Sequence, residues 1–133
     1  MLRATGAGAA YFAVVFLFAF VLGVVRTLLV APRLGELTAV LLETPLVLAV
    51  SWLVCRRVVR WVSVAPRIPD RALMGAVAFA LLMSVEFALS VLVFRRQPAT
   101  WAASLLTAPG AIGLAAQAGF ALVPIAQRFA RSA

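Results

Sequence analysis

The chain has 133 residues, of which 65% are hydrophobic and 12% charged, and a formal net charge of +8, with a mean hydropathy of +1.12. So few charges cannot cover a globule with polar surface, which argues against a water-soluble domain and for lipid as the main solvent. The positive balance does not indicate nucleic acid, because the twelve basic residues are all arginines dispersed between apolar runs.

Histidine is absent and Cys55 is the single cysteine. Zinc, iron–sulfur and haem sites therefore lack ligands, and a serine–histidine or cysteine–histidine nucleophile is excluded. No cofactor and no enzymatic activity are expected. Cys55 reads as a small apolar side chain near the interface end of a span.

A helix needs about 20 apolar residues to cross the hydrocarbon. The first predicted span covers roughly 8–30 and is too long for a signal peptide, so it is read as retained. Its Tyr11, Phe12, Phe16, Phe18 and Phe20 cover several faces and are expected to be lipid-facing and packing surface. The second covers roughly 37–59, with Arg56, Arg57, Arg60 and Trp61 marking its far end. Two prolines make VAPRIPDR (64–71) a loop, with Asp70 placed to N-cap the next helix. The third span covers roughly 71–94 and is closed by Arg95 and Arg96. The segment 97–110 is expected to form a short interfacial helix around Trp101. The fourth span covers roughly 109–128 and carries Pro124 late in its course. The fold class is thus all-α: one integral membrane domain built as a four-helix bundle.

The arginines give the direction. Arg3, Arg56, Arg57, Arg60, Arg67, Arg71, Arg128 and Arg131 fall on one side, against Arg33, Arg95, Arg96 and Arg26 on the other. The positive-inside rule then puts both termini in the cytoplasm (N-in/C-in). The arginine-only basic set and high alanine content fit a GC-rich bacterium, and hence a multi-pass protein of the bacterial inner membrane.

Each span brings one polar residue to the outer half of the membrane. Counting from the outer loops, Arg26 lies roughly 6 Å deep, Glu43 roughly 10 Å, and Glu86 and Gln117 roughly 12 Å. An ionised group in hydrocarbon costs at least about 2.5–3.5 kcal/mol, so these four are expected to face one another inside the bundle. Small residues accompany them: Ala19 and Gly23 with Arg26, and Gly113 and Ala121 with Gln117. Met83, Glu86 and Ser90 share a face, as do Glu36, Glu43 and Val50; Glu36 then forms the mouth beside Arg33. Pro45 strands the Leu41 carbonyl one turn from Glu43. Arg26 supplies one positive charge for two carboxylates, so a proton, a cation, Arg33 or a partner must balance the other.

Such a cluster fits a non-enzymatic accessory or structural protein, in which polar pairs fix helix register or the bundle docks a partner. It also fits a small transporter or channel component using Glu43 or Glu86 for proton or cation coupling. The partners expected are the lipid bilayer, anionic lipid at Arg56, Arg57 and Arg60, and a membrane protein or a second copy of the chain.

The stretch GVVRTLLVAPRLGELTAVLLETPLVLAVSWLVCRRVVR (23–60) resembles a group of small, uncharacterised four-span inner-membrane proteins of proteobacteria. Arg26, Pro32-Arg33-Leu34-Gly35-Glu36, Glu43-Thr44-Pro45 and Ser51-Trp52 carry the resemblance. It implies the topology and no activity. Small multidrug-resistance transporters rely on a glutamate in their first span, where this chain has Arg26 and no acid.

Overall fold

The computed structural model describes residues 2–93 and 95–132. Helix α1 (Leu2–Val25) passes through a π turn (Arg26–Val30) into α2 (Ala31–Leu34), and α3 (Glu36–Val62) follows after Gly35. Helix α4 (Ile68–Ala88) ends in a second π turn (Leu89–Val93), and the short α5 (Pro98–Ser104) leads to α6 (Ala108–Ser132). There is no strand among the described residues. Four continuous helical stretches are long and apolar enough to cross a membrane: Leu2–Leu34, Glu36–Val62, Ile68–Val93 and Ala108–Ala130. Each is longer than the apolar run alone predicts, because the helices continue past the uncharged segment.

Prolines and one glycine shape the end of the bundle opposite the termini. Pro32 has no amide hydrogen, so it cannot bond the Leu28 carbonyl. The ladder shifts register there, and the Ala31 amide reaches back five residues to the Arg26 carbonyl. Gly35, at φ +86°, then reverses the chain in a single residue, a conformation that costs glycine nothing. At the terminal end, Ser63 in the left-handed region (φ 60°) closes α3.

Helix α4 starts at Ile68, with Arg67 as its extended cap residue and Pro69 in its first turn. Asp70 is therefore not the N-cap expected from the sequence. It sits inside the first turn and accepts a hydrogen bond from Arg67 Nε at 2.9 Å. The proline is responsible, since it is compatible with the first helical turn and starts the helix before the aspartate.

Helix α1 packs against α3 and α4, and α6 packs against the same two. The bundle is a ring in the order α1–α3–α6–α4, and the 63–67 connection crosses it diagonally. Two close approaches clamp the start of α4. A Cβ on Gly8 would stand 2.6 Å from the Met74 carbonyl oxygen, and one on Gly75 would collide with the Ala121 carbonyl. Small residues let the backbones approach this closely, as the sequence pattern implied for Ala121, although Ala121 meets α4 rather than the polar cluster.

The dry core occupies the terminal half. It comprises Ala4, Ala7, Tyr11, Val15, Cys55, Val58, Val59, Val64, Met74, Ala78, Leu82, Phe120 and Val123. Cys55 is fully buried in this core as a small apolar side chain. Tyr11 is likewise fully buried, whereas Phe18 and Phe20 point outward with Leu17, Leu28 and Leu53. Beyond Val15, Leu82 and Phe120, only Ala39 and Val40 are buried among the described residues, so the other half is loosely filled.

Candidate functional site

That loosely filled half holds the four residues singled out by depth. Arg26 opens the π turn after α1, Glu43 lies two turns into α3, Glu86 precedes the π turn after α4, and Gln117 lies in α6. They form two pairs. Arg26 Nη1 donates to Glu43 Oε2 at 2.7 Å, and Gln117 Nε2 donates to Glu86 Oε1 at 2.6 Å. Each pair joins two neighbouring corners of the ring, α1 to α3 and α4 to α6. Gln117 Oε1 is buried and has no partner among the described residues.

The cluster is not sealed. The side chain of Arg26 is 35% exposed and that of Glu43 14%. All four residues line a cavity of about 130 Å³, with Phe12, Phe16, Thr44, Leu82 and Phe120 among its other walls. This cavity continues into a wider cleft of about 610 Å³ at the end opposite the termini, lined also by Glu36, Ser90, Arg96 and Trp101. Trp101 of α5 meets Phe87 edge-on at 5.2 Å.

The supporting residues divide. Glu36 and Ser90 line the cleft, as do Ala19, Gly23 and Gly113. Arg33 is exposed and does not line it, so the expected mouth beside Glu36 is formed with Arg96 instead. The π turn and the Gly35 reversal rotate the end of the first helix away from the simple helical count. Pro45 faces outward, and Val40 and Val47 line the cavity in place of Val50. Leu82 takes the wall position expected for Met83. Thr44 lines the cavity as well, while its hydroxyl bonds the Val40 carbonyl at 2.8 Å.

A second polar network, not singled out by span depth, lies in the terminal half. Pro124 cannot donate to the Phe120 carbonyl, and the Tyr11 hydroxyl does so instead at 2.6 Å, with the two rings stacked at 4.4 Å. Arg71 counts as a topology charge in the sequence, yet it is fully buried. It donates from Nη1 to the Pro124 carbonyl and from Nε to the Ala65 carbonyl, both at 3.3 Å. Gln127 Nε2 donates to the Trp52 carbonyl at 2.6 Å, and Ser51 Oγ to the Val47 carbonyl at 2.7 Å. The proline supplies the one sequence signal for part of this network, since it strands a carbonyl that a buried hydroxyl can reach.

Chemically, the open half presents two carboxylates, one guanidinium and one amide in an apolar chamber reached from one end. In the terminal half, Tyr11, Arg71 and Gln127 bond backbone carbonyls within a packed core. No protein-family model, curated protein or solved structure matches this chain.

Proposed function

We propose that the protein is a non-enzymatic accessory or structural protein of the bacterial inner membrane, crossing it four times with both termini in the cytoplasm. The observation that carries this reading is the arrangement of the two polar pairs. One ties α1 to α3 and the other ties α4 to α6, where the apolar core gives out. Lipid provides no hydrophobic drive between helices, so such pairs set register at modest energy. The arginine asymmetry supports the orientation, and the resemblance to small four-span proteobacterial proteins bears on the topology alone.

The testing experiment is thermal unfolding in detergent of Arg26→Ala, Glu43→Gln and Glu86→Gln. All three should melt below wild type. Variants melting at or above wild type would overturn the register role. Orientation is tested with a membrane-impermeant maleimide, because Cys55 is fully buried and gives a silent background. A cysteine in place of Arg96 should label in intact cells, and one in place of Arg57 only after permeabilisation.

One observation favours a second reading, a small transporter or channel component. The cluster faces a cavity that opens to one end, as a site for solute or proton coupling would. Proton flux in liposomes that Glu43→Gln or Glu86→Gln abolishes would support it.

A further inference from the structure

Pairs that only hold helices together close on one another and leave no room. These four side chains instead surround about 130 Å³ of space. An apolar cavity of about 150 Å³ takes up benzene, so a small organic molecule fits a chamber of this size.

The walls specify its class. They are mostly apolar and include three aromatic rings, Phe12, Phe16 and Phe120. The charges pair unequally: Glu43 holds Arg26 directly, whereas the hydrogen-bond partner of Glu86 among the described residues is the neutral amide of Gln117. By formal charge the chamber holds two carboxylates and one guanidinium, an excess that a bound cation would balance. A metal cation requires several converging oxygen, nitrogen or sulfur ligands, and no three acidic, histidine or cysteine side chains converge among the described residues. An organic ammonium ion matches the carboxylate and the apolar walls, while the like-charged guanidinium of Arg26 is held by Glu43. Its charge meets a carboxylate, its hydrocarbon meets the apolar lining, and aromatic rings attract a cation through their quadrupoles.

We propose that this cavity binds a small organic monocation, a primary or quaternary ammonium ion about the size of benzene, with its nitrogen against Glu86 and its hydrocarbon among Phe12, Phe16 and Phe120. The ligand enters through the cleft bounded by Glu36, Ser90 and Trp101. The two π turns flank this entrance, and such irregularities recur at functional sites. The site goes beyond the accessory reading and stands independently of it.

The test titrates benzylammonium chloride into the purified full-length protein in neutral detergent, followed calorimetrically against empty micelles. Benzyl alcohol serves as the neutral isostere and sodium chloride as the ionic control. A ligand of so few atoms should bind with a Kd of roughly 0.1–10 mM. Benzyl alcohol should bind at least about tenfold more weakly, and Glu86→Gln should weaken benzylammonium by a similar factor. Gly113→Leu provides a second arm that leaves every charge in place. A Cβ on Gly113 meets nothing within 4 Å, so the larger side chain grows into the chamber and should abolish binding in a folded protein. The proposal is overturned if benzyl alcohol binds as well as benzylammonium, if sodium competes on equal terms, if Gly113→Leu binds like wild type, or if wild type shows no saturable heat. Should Glu86→Gln fail to fold, the isostere and Gly113→Leu arms decide the matter.

Discussion

Tyr11 of α1 donates its hydroxyl hydrogen to the Phe120 carbonyl of α6 at 2.6 Å, the acceptor that Pro124 leaves without its helical partner. The two helices stand on opposite corners of the ring, so this bond crosses the bundle through its core. The ring of Tyr11 stacks on Phe120 at 4.4 Å. A single side chain thus satisfies a proline-broken ladder and fills the centre of the dry half.

Tyr11→Phe keeps the stack and removes the donor. A buried carbonyl left without a partner costs about 1–3 kcal/mol, so the variant should melt clearly below wild type in detergent. The cost should shrink in a Pro124→Ala background, where an alanine amide can bond Phe120 again. A double-mutant cycle with no coupling would show that the hydroxyl does not serve the stranded carbonyl.

Arg71 should behave unlike the other arginines at its end of the bundle. It is fully buried and bonds carbonyls of both the 63–67 connection and α6. Arg71→Ala should cost about 1.5–3 kcal/mol, the range for hydrogen bonds from a charged donor. Arg71→Lys should rescue little, because an ammonium lacks the planar fork that spans two acceptors. Arg56→Ala, at an exposed site, should stay within about 0.5 kcal/mol of wild type. The comparison is made by chemical or thermal unfolding under one detergent condition.

A clamped glycine and an open one predict opposite signs on substitution. Gly75→Ala sets a methyl group against the Ala121 carbonyl and should destabilise by about 1–3 kcal/mol. Gly113→Ala meets open space and should be neutral or stabilising by up to about 1 kcal/mol through helix propensity. Melting temperatures of the two variants, measured side by side, check the sign.

The Arg26–Glu43 pair should be worth less than its formal charges suggest. Interhelical polar contacts in membrane proteins average about 0.6 kcal/mol and reach about 1.7 kcal/mol, and here the guanidinium is 35% exposed. Arg26→Ala and Glu43→Gln should each lower stability by under about 2 kcal/mol, and the double variant should cost less than their sum. Strict additivity in unfolding measurements would show that the two side chains do not act as a pair.

The sequence by itself determined the four long apolar helices and where along them the polar residues fall. Within lipid, a spanning apolar run of this kind must be helical, and a charge inside it needs an opposite charge or a hydrogen-bonding partner. Hence Arg26, Glu43, Glu86 and Gln117 were identifiable from position alone, and all four line one chamber. Only the tertiary structure decided who pairs with whom, because pairing depends on helix order around the ring, and the diagonal crossing of 63–67 is invisible to periodicity. It also decided that the chamber opens to one end. Arg71 read as a topology charge because charge counting does not see a side chain folding back under a loop toward Pro124. Tyr11 read as one aromatic among several, since its role depends on a carbonyl stranded 109 residues away. Local chemistry fixes which groups are costly to leave in lipid, and packing chooses the partners that relieve the cost.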